Sequence, residues 1–175
     1  MITKLVNPKT KLYKTVKSLM LSDQFPWYFY NAVVGDNIGV TEGHRNFSFL
    51  SNPLLARPNT CGHKYPTSQF VHLDTIEQML DQIFDFNQIN VECIYRINAN
   101  LVYPQDGIQA SPVHRDHDFP HKNLLIYLTD AGGITVYENE QHNPKEDDII
   151  VFGGEEHYYY LPKEKRRVVL VVTYL

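Results

Sequence analysis

The sequence predicts a mainly β sandwich or barrel backed by two amphipathic helices. Three observations carry that expectation. Short runs rich in Val, Ile, Tyr and Phe recur at intervals of about ten residues over most of the chain. Turn-forming stretches divide them, notably "TDAGG" at 129–133 and "NPKEDD" at 143–148. Only two windows carry the periodicity of a helix with one apolar stripe.

The first window starts with Asn7 as an N-cap and Pro8 at the first helical position, and Leu12, Val16, Leu19 and Met20 form its apolar stripe. Strands are expected next in "WYFYNAVV" (27–34) and "FSFL" (47–50). Residues 51–73, with three prolines among scattered polar residues, read as a long loop lying over the domain. The second helix starts at Asp74, with Glu77 at capping-box spacing and Ile76, Met79, Leu80, Ile83 and Phe84 as its buried face. Strands follow in "VECIYRINANLVY" (91–103), "NLLIYL" (123–128), "GITVYE" (133–138), "DIIVF" (148–152) and "RVVLVVTYL" (167–175).

A length of 175 residues suits one domain, 1–175, with one substantial core. A net charge of −4 steers the chain toward neither nucleic acid nor an anionic membrane. No window has the length of apolar sequence that a membrane span needs, and the first twenty residues lack the apolar core of a secretory signal. Cys61 and Cys93 are far apart and form no CxxC, so they read as reduced, part-buried thiols in a cytoplasmic protein.

The chemistry concentrates in "SPVHRDHDFPHKNLLIYLTD", residues 111–130. His114, Asp116, His117, Asp118 and His121 crowd the edge of the most apolar region of the chain. In an extended segment, alternate residues share a face, so His114 and Asp116 present an imidazole and a carboxylate to one point. One further histidine completes a 2-His-1-carboxylate triad, which leaves three positions of a divalent metal open. His157 is the best candidate, because it follows "DIIVFGGEE" and would open the next strand at a sheet edge. His142 is the runner-up, in a polar turn that should face water. His117 and Asp118 cannot share a face in an extended segment, though one of these residues could orient a ligand.

From about residue 91 onward the order of parts resembles a 2-oxoglutarate- and Fe(II)-dependent oxygenase of the prolyl 4-hydroxylase-like type. "YP" (Tyr103-Pro104) leads to "HRD", then to "LLIYLTDAGGITVY" and "PKEDDIIVF", with His157 beyond them and Arg167 ten residues later. The resemblance implies a double-stranded β-helix, or jelly roll, of the cupin-like kind, with the N-terminal helices buttressing it. It implies Fe(II) held by His114, Asp116 and His157, and 2-oxoglutarate as cosubstrate. The distal carboxylate of that cosubstrate needs a cation inside the barrel, and the resemblance selects Arg167, in phase with Val169 and Val171, over its neighbour Arg166. Tyr127 and Tyr103 match tyrosines that line the same pocket. The implied partners are 2-oxoglutarate, O₂ and a peptide or small-molecule substrate, and the implied reaction is hydroxylation, with a peptidyl proline as the first substrate to consider. The rival readings are a cupin-like metal enzyme that does not use 2-oxoglutarate and a non-catalytic ligand-binding barrel.

Overall fold

The computed structural model describes residues 1–31, 47–59 and 62–175. Its elements, in order, are β1 (Thr3–Leu5), α1 (Lys11–Leu21), β2 (Tyr28–Tyr30), β3 (Phe49–Leu55), α2 (Leu73–Phe86), β4 (Ile94–Val102), β5 (Lys122–Tyr127), β6 (Thr135–Tyr137), β7 (Glu140–His142), β8 (Ile149–Gly153), β9 (His157–Tyr159) and β10 (Arg167–Tyr174). Seven strands form one sheet in the order β1-β8-β5-β10-β4-β3-β2, and three form a second in the order β7-β6-β9. Residues 110–114 run alongside β9, through bridges from Ala110 to Tyr160 and from His114 to His157.

The chain visits the two sheets in alternation. It passes from β4 in the large sheet to 110–114 beside the small one, and back to β5. It then crosses to β6 and β7, returns to β8, crosses to β9, and closes on β10 between β5 and β4. All pairs are antiparallel. This winding is a double-stranded β-helix.

Both faces of β8 and β10 are covered, which is why they read as near-continuous apolar runs, whereas β4 alternates apolar residues with Arg96, Asn98 and Asn100. On β10, Val168, Leu170, Val172 and Tyr174 face the helices, where they join Tyr13, Val16 and Met20 of α1 and Ile76, Met79, Leu80, Ile83 and Phe84 of α2. Val169 belongs to a second cluster inside the barrel, with Leu125, Tyr127, Tyr137, Ile150 and Phe152.

Several local expectations shift. α1 is capped at Thr10, whose Oγ1 accepts the Tyr13 N–H at 3.1 Å, and not at Asn7. Asn7 is committed to a local turn: its Oδ1 accepts the Lys9 N–H at 2.9 Å and its Nδ2 donates to the Asp147 carbonyl at 3.0 Å. α2 starts one residue before Asp74, with His72 at the cap position and no side-chain cap bond, so Asp74 contributes only its charge to the first turn. The first five residues of the 51–73 segment are not loop. Residues 51–55 belong to β3, where Ser51 to Leu55 pair with β4 despite Pro53, at the cost of a register shift before Leu55. His142 lies on β7, in a part of the chain expected to be a polar turn. Strand β1, which no pattern announced, pairs with β8. Cys93 is exposed and free, not part-buried, while Cys61 and residues 32–34 of the expected first strand lie outside the described residues. No helix among the described residues is long and apolar enough to cross a membrane.

Candidate metal centre and the buried arginine

The bridge between the 110–114 segment and β9 builds the centre. His114 and His157 stand directly opposite, each backbone N–H donating to the other's carbonyl at 3.0 Å. Opposed residues of an antiparallel pair project to the same face, and the two rings lie 4.5 Å apart between centroids. Asp116 follows two residues on, and its Oδ2 comes within 3.5 Å of His157 Nε2. One ligand atom from each of His114, Asp116 and His157 lies within 4.8 Å of the other two, and this is the one such group of His, Cys, Asp and Glu side chains among the described residues.

Backbone carbonyls set both imidazoles. His114 Nδ1 lies 3.0 Å from the Pro112 carbonyl, and His157 Nδ1 lies 3.0 Å from the Glu155 carbonyl. A carbonyl can only accept, so each Nδ1 carries a proton, and in the neutral ring this tautomer turns the Nε2 lone pair to the centre. Burial, and then the neighbouring His114, push His157 down to about 4, so its ring is neutral at neutral pH. Gly154 leaves room for the His121 ring. A Cβ there would sit 2.5 Å from Cε1 of His121.

Asp116 is held from two sides. Arg96 Nη2, on β4, donates to Asp116 Oδ1 at 2.5 Å, and Arg57 Nη1 donates to the Asp116 carbonyl at 3.0 Å. Burial opposes a charge on Asp116, but Arg96, His157 and His114 outweigh it and hold the carboxyl well below the usual carboxylate range. Two imidazole nitrogens and one ionised carboxylate oxygen are the donor set that suits a non-haem iron(II) centre with open positions.

Arg167 opens β10 and points into the barrel. It is only 4% exposed, and no carboxylate pairs with it among the described residues. Its Nη2 donates to Thr135 Oγ1 at 3.2 Å, and its guanidinium carbon lies 4.3 Å from the Tyr159 ring centre and 5.3 Å from that of Tyr127. Arg167 Nε has no partner among the described residues. Tyr127 shares Thr135 Oγ1 through a 2.7 Å hydrogen bond. Gly133, at φ +82, makes the room: a Cβ there would lie 2.7 Å from Arg167 Cδ and 2.8 Å from the Tyr160 carbonyl. A buried cation without an acid costs several kcal/mol, roughly, unless an anion reaches it. Arg166 is exposed, its carbonyl accepting from Thr129 Oγ1 at 3.0 Å.

The other candidates go elsewhere. His117 turns to the end of β10, with Nε2 2.9 Å from Thr173 Oγ1 and its ring stacked on Phe119. Asp118 is exposed. His121 Nδ1 lies 2.7 Å from the Phe119 carbonyl. His142 does not turn fully to water: it is half-buried, with its Nε2 3.3 Å from Asp148 and its ring beside that of Tyr127. Tyr103 is 49% exposed just past β4. Sequence reasoning passed over Arg57, Arg96, Thr135 and Tyr159. Only Arg96 left a signal, since Arg96, Asn98 and Asn100 put polar side chains on one face of an otherwise apolar strand.

Similar folds occur among solved structures. An oxidoreductase of the 2OG-Fe(II) oxygenase family from Burkholderia pseudomallei superposes with a TM-score of 0.72 at 14% identity, covering 99% of this chain and 84% of that one. The fold is that of the 2OG-Fe(II) oxygenases. A Trichoplax adhaerens prolyl hydroxylase, in complex with a peptide fragment of the hypoxia-inducible-factor oxygen degradation domain, superposes with a TM-score of 0.59 at 14% identity, over 99% of this chain and 83% of that one. The alpha-ketoglutarate-dependent non-heme epimerase SnoN, from nogalamycin biosynthesis, superposes at 0.57 with 8% identity, over 99% and 77%. This oxygenase fold thus hosts more than one reaction outcome. No protein-family model matches the chain. No protein of curated function matches it by sequence.

Proposed function

We propose that residues 1–175 form a single Fe(II)- and 2-oxoglutarate-dependent oxygenase domain that hydroxylates a peptide or small molecule. The observation that carries this reading is a buried Arg167, with no carboxylate partner among the described residues, in the same barrel as the His114–Asp116–His157 group. A metal enzyme of the same shape that did not use a dicarboxylate would have no reason to bury that cation.

In this reading His114 and His157 offer Nε2, and Asp116 one carboxylate oxygen, to the iron. Bound iron would supply the oxidising power that couples decarboxylation of 2-oxoglutarate to oxidation of a substrate C–H bond. Arg167 receives the distal carboxylate, and its planar fork gives that carboxylate two parallel charge-assisted bonds. Thr135 and Tyr127 add hydroxyls to the same end of the lumen. Tyr103 follows Val102, the register partner of Arg167, and we place it at the rim of that end. Tyr159 and Tyr127 stack about the guanidinium and keep water from it. A peptidyl proline is the first substrate to try. The free, exposed thiol of Cys93 agrees with a reducing cytoplasm.

The test is anaerobic addition of 2-oxoglutarate to the Fe(II)-loaded protein. A weak visible charge-transfer band is expected, followed by succinate formation on admission of oxygen. Iron binding without the band would favour the cupin-like metal enzyme. A folded protein that binds no iron would favour a non-catalytic barrel.

A further inference from the structure

Asp116 has two carboxylate oxygens, and the chain has already committed one of them. Oδ1 accepts from Arg96 at 2.5 Å, while Oδ2 is the oxygen turned to His157 Nε2, at 3.5 Å. The pair is out of water, with side-chain exposures of 13% for Arg96 and 7% for Asp116, so the charge-assisted bond is little screened. Arg96 has little freedom to leave. It sits on β4 with Thr173 of β10 as its register partner, in the middle of the large sheet. Arg57 fixes the main chain of the same residue through the Asp116 carbonyl.

We infer that Arg96 is a positioning residue that holds Asp116 to a single metal-binding oxygen and so keeps a coordination position free for the cosubstrate. This rests on the metal-centre reading above. A carboxylate can bind a metal through one oxygen or through both. A carboxylate freed from Arg96 can rotate its second oxygen onto the metal and occupy a position that 2-oxoglutarate needs. Arg96 therefore separates two properties that otherwise move together. Its positive charge repels the metal cation while it also helps to keep Asp116 ionised, so the two effects offset each other in metal affinity. Cosubstrate affinity does depend on Arg96.

The experiment uses Co(II) as the probe metal under anaerobic conditions, with calorimetric titration of Co(II) into the apoprotein and then of 2-oxoglutarate into the Co(II) form. In Arg96→Met, Co(II) is expected to bind at least as tightly as in wild type, with altered d–d bands. 2-Oxoglutarate is expected to bind roughly 10-fold more weakly or worse. Arg96→Lys keeps a cationic donor for Oδ1 and should recover most of the cosubstrate affinity, and it serves as the informative variant if Arg96→Met does not fold. Wild-type 2-oxoglutarate affinity in Arg96→Met, or in Arg96→Lys no better than in Arg96→Met, overturns the inference. So does a folded Arg96→Met that has lost Co(II), because Arg96 would then support the metal group as a whole. A wild-type protein that binds no Co(II) would instead overturn the functional reading itself.

Discussion

The two faces of the large sheet share every strand, yet they differ in kind. The face toward the helices is apolar and closed: Ile97, Ala99 and Leu101 of β4, Leu124 and Ile126 of β5, and Val168, Leu170 and Val172 of β10 pack on α1 and α2. The face toward the lumen carries Arg96, Asn98 and Asn100 of β4, Asn123 and Tyr127 of β5, and Arg167 and Thr173 of β10. Buried polar atoms without partners gather there, at Arg96 Nε, Asn98 Oδ1, Asn123 Oδ1 and Arg167 Nε. On the helix face, among the described residues, only the Tyr174 hydroxyl is left in that state. Native proteins leave few buried polar atoms unsatisfied. Their concentration on one face marks where a polar ligand belongs, and the satisfied face marks what holds the barrel up.

The contrast predicts that substitutions on the two faces report through different measurements. The largest effect belongs to the metal group. Alanine at His114, Asp116 or His157 should abolish stoichiometric Fe(II) binding while the circular dichroism stays native. His142→Ala should bind iron as wild type does, because His142 faces Asp148. Loss of iron in His142→Ala alone would move the centre.

Next comes the lumen cation. Loss of a desolvated charge-assisted partner costs on the order of 2–5 kcal/mol, so Arg167→Ala should weaken 2-oxoglutarate binding by roughly 30-fold or more, with iron affinity little changed. Arg166→Ala should change it by no more than a few-fold. Arg167→Met should leave the unliganded protein as stable as wild type or more so, since it removes an unpaired buried charge. A large loss of stability in Arg167→Met would mean that the cation serves the fold. The opposite face gives the mirror result. Leu170→Ala is expected to cost about 2–5 kcal/mol in chemical denaturation, with 2-oxoglutarate affinity of the folded protein unchanged.

The smallest effect is acid sensitivity at the seam where α1 meets the barrel. Asp147 accepts from Tyr13 Oη at 2.7 Å and pairs with Lys17 and Lys9 at 2.5 and 2.9 Å. Burial opposes its charge, but hydrogen bonds from Lys17, Tyr13 and Lys9 bring it down from 3.8 to about 2. A folded value below the unfolded one means the stabilisation is complete above about pH 4 and is lost as the pH falls toward 2. Asp147→Asn should flatten that part of the pH–stability curve, followed by thermal melts. An unchanged slope would show that other carboxylates govern acid unfolding.

Much of this was legible in the residues because it depends on local rules. The periodicity of the second helix named all five of its buried side chains. Strand alternation put Arg167 on the same face as Val169, and Arg166 on the other. The HxD spacing and the glycine turn before His157 pointed to three side chains that the fold brings within 4.8 Å. Caps were less legible, since Asn7 and Thr10 both suit a cap and only the contact of Asn7 with Asp147, far along the chain, chooses between them.

By itself the sequence determined the strand-rich architecture, the helical apolar stripes and the residue types of the candidate centre, because side-chain pattern and backbone periodicity are properties of neighbours along the chain. Only the tertiary structure decided that Arg96 and Arg57 close on Asp116, that Thr135 and Tyr159 meet Arg167, and that His142 turns inward. Those contacts join residues from separate segments of the chain. Their geometry is set by which strands become neighbours when two sheets wind around one lumen, and no spacing along the chain encodes that.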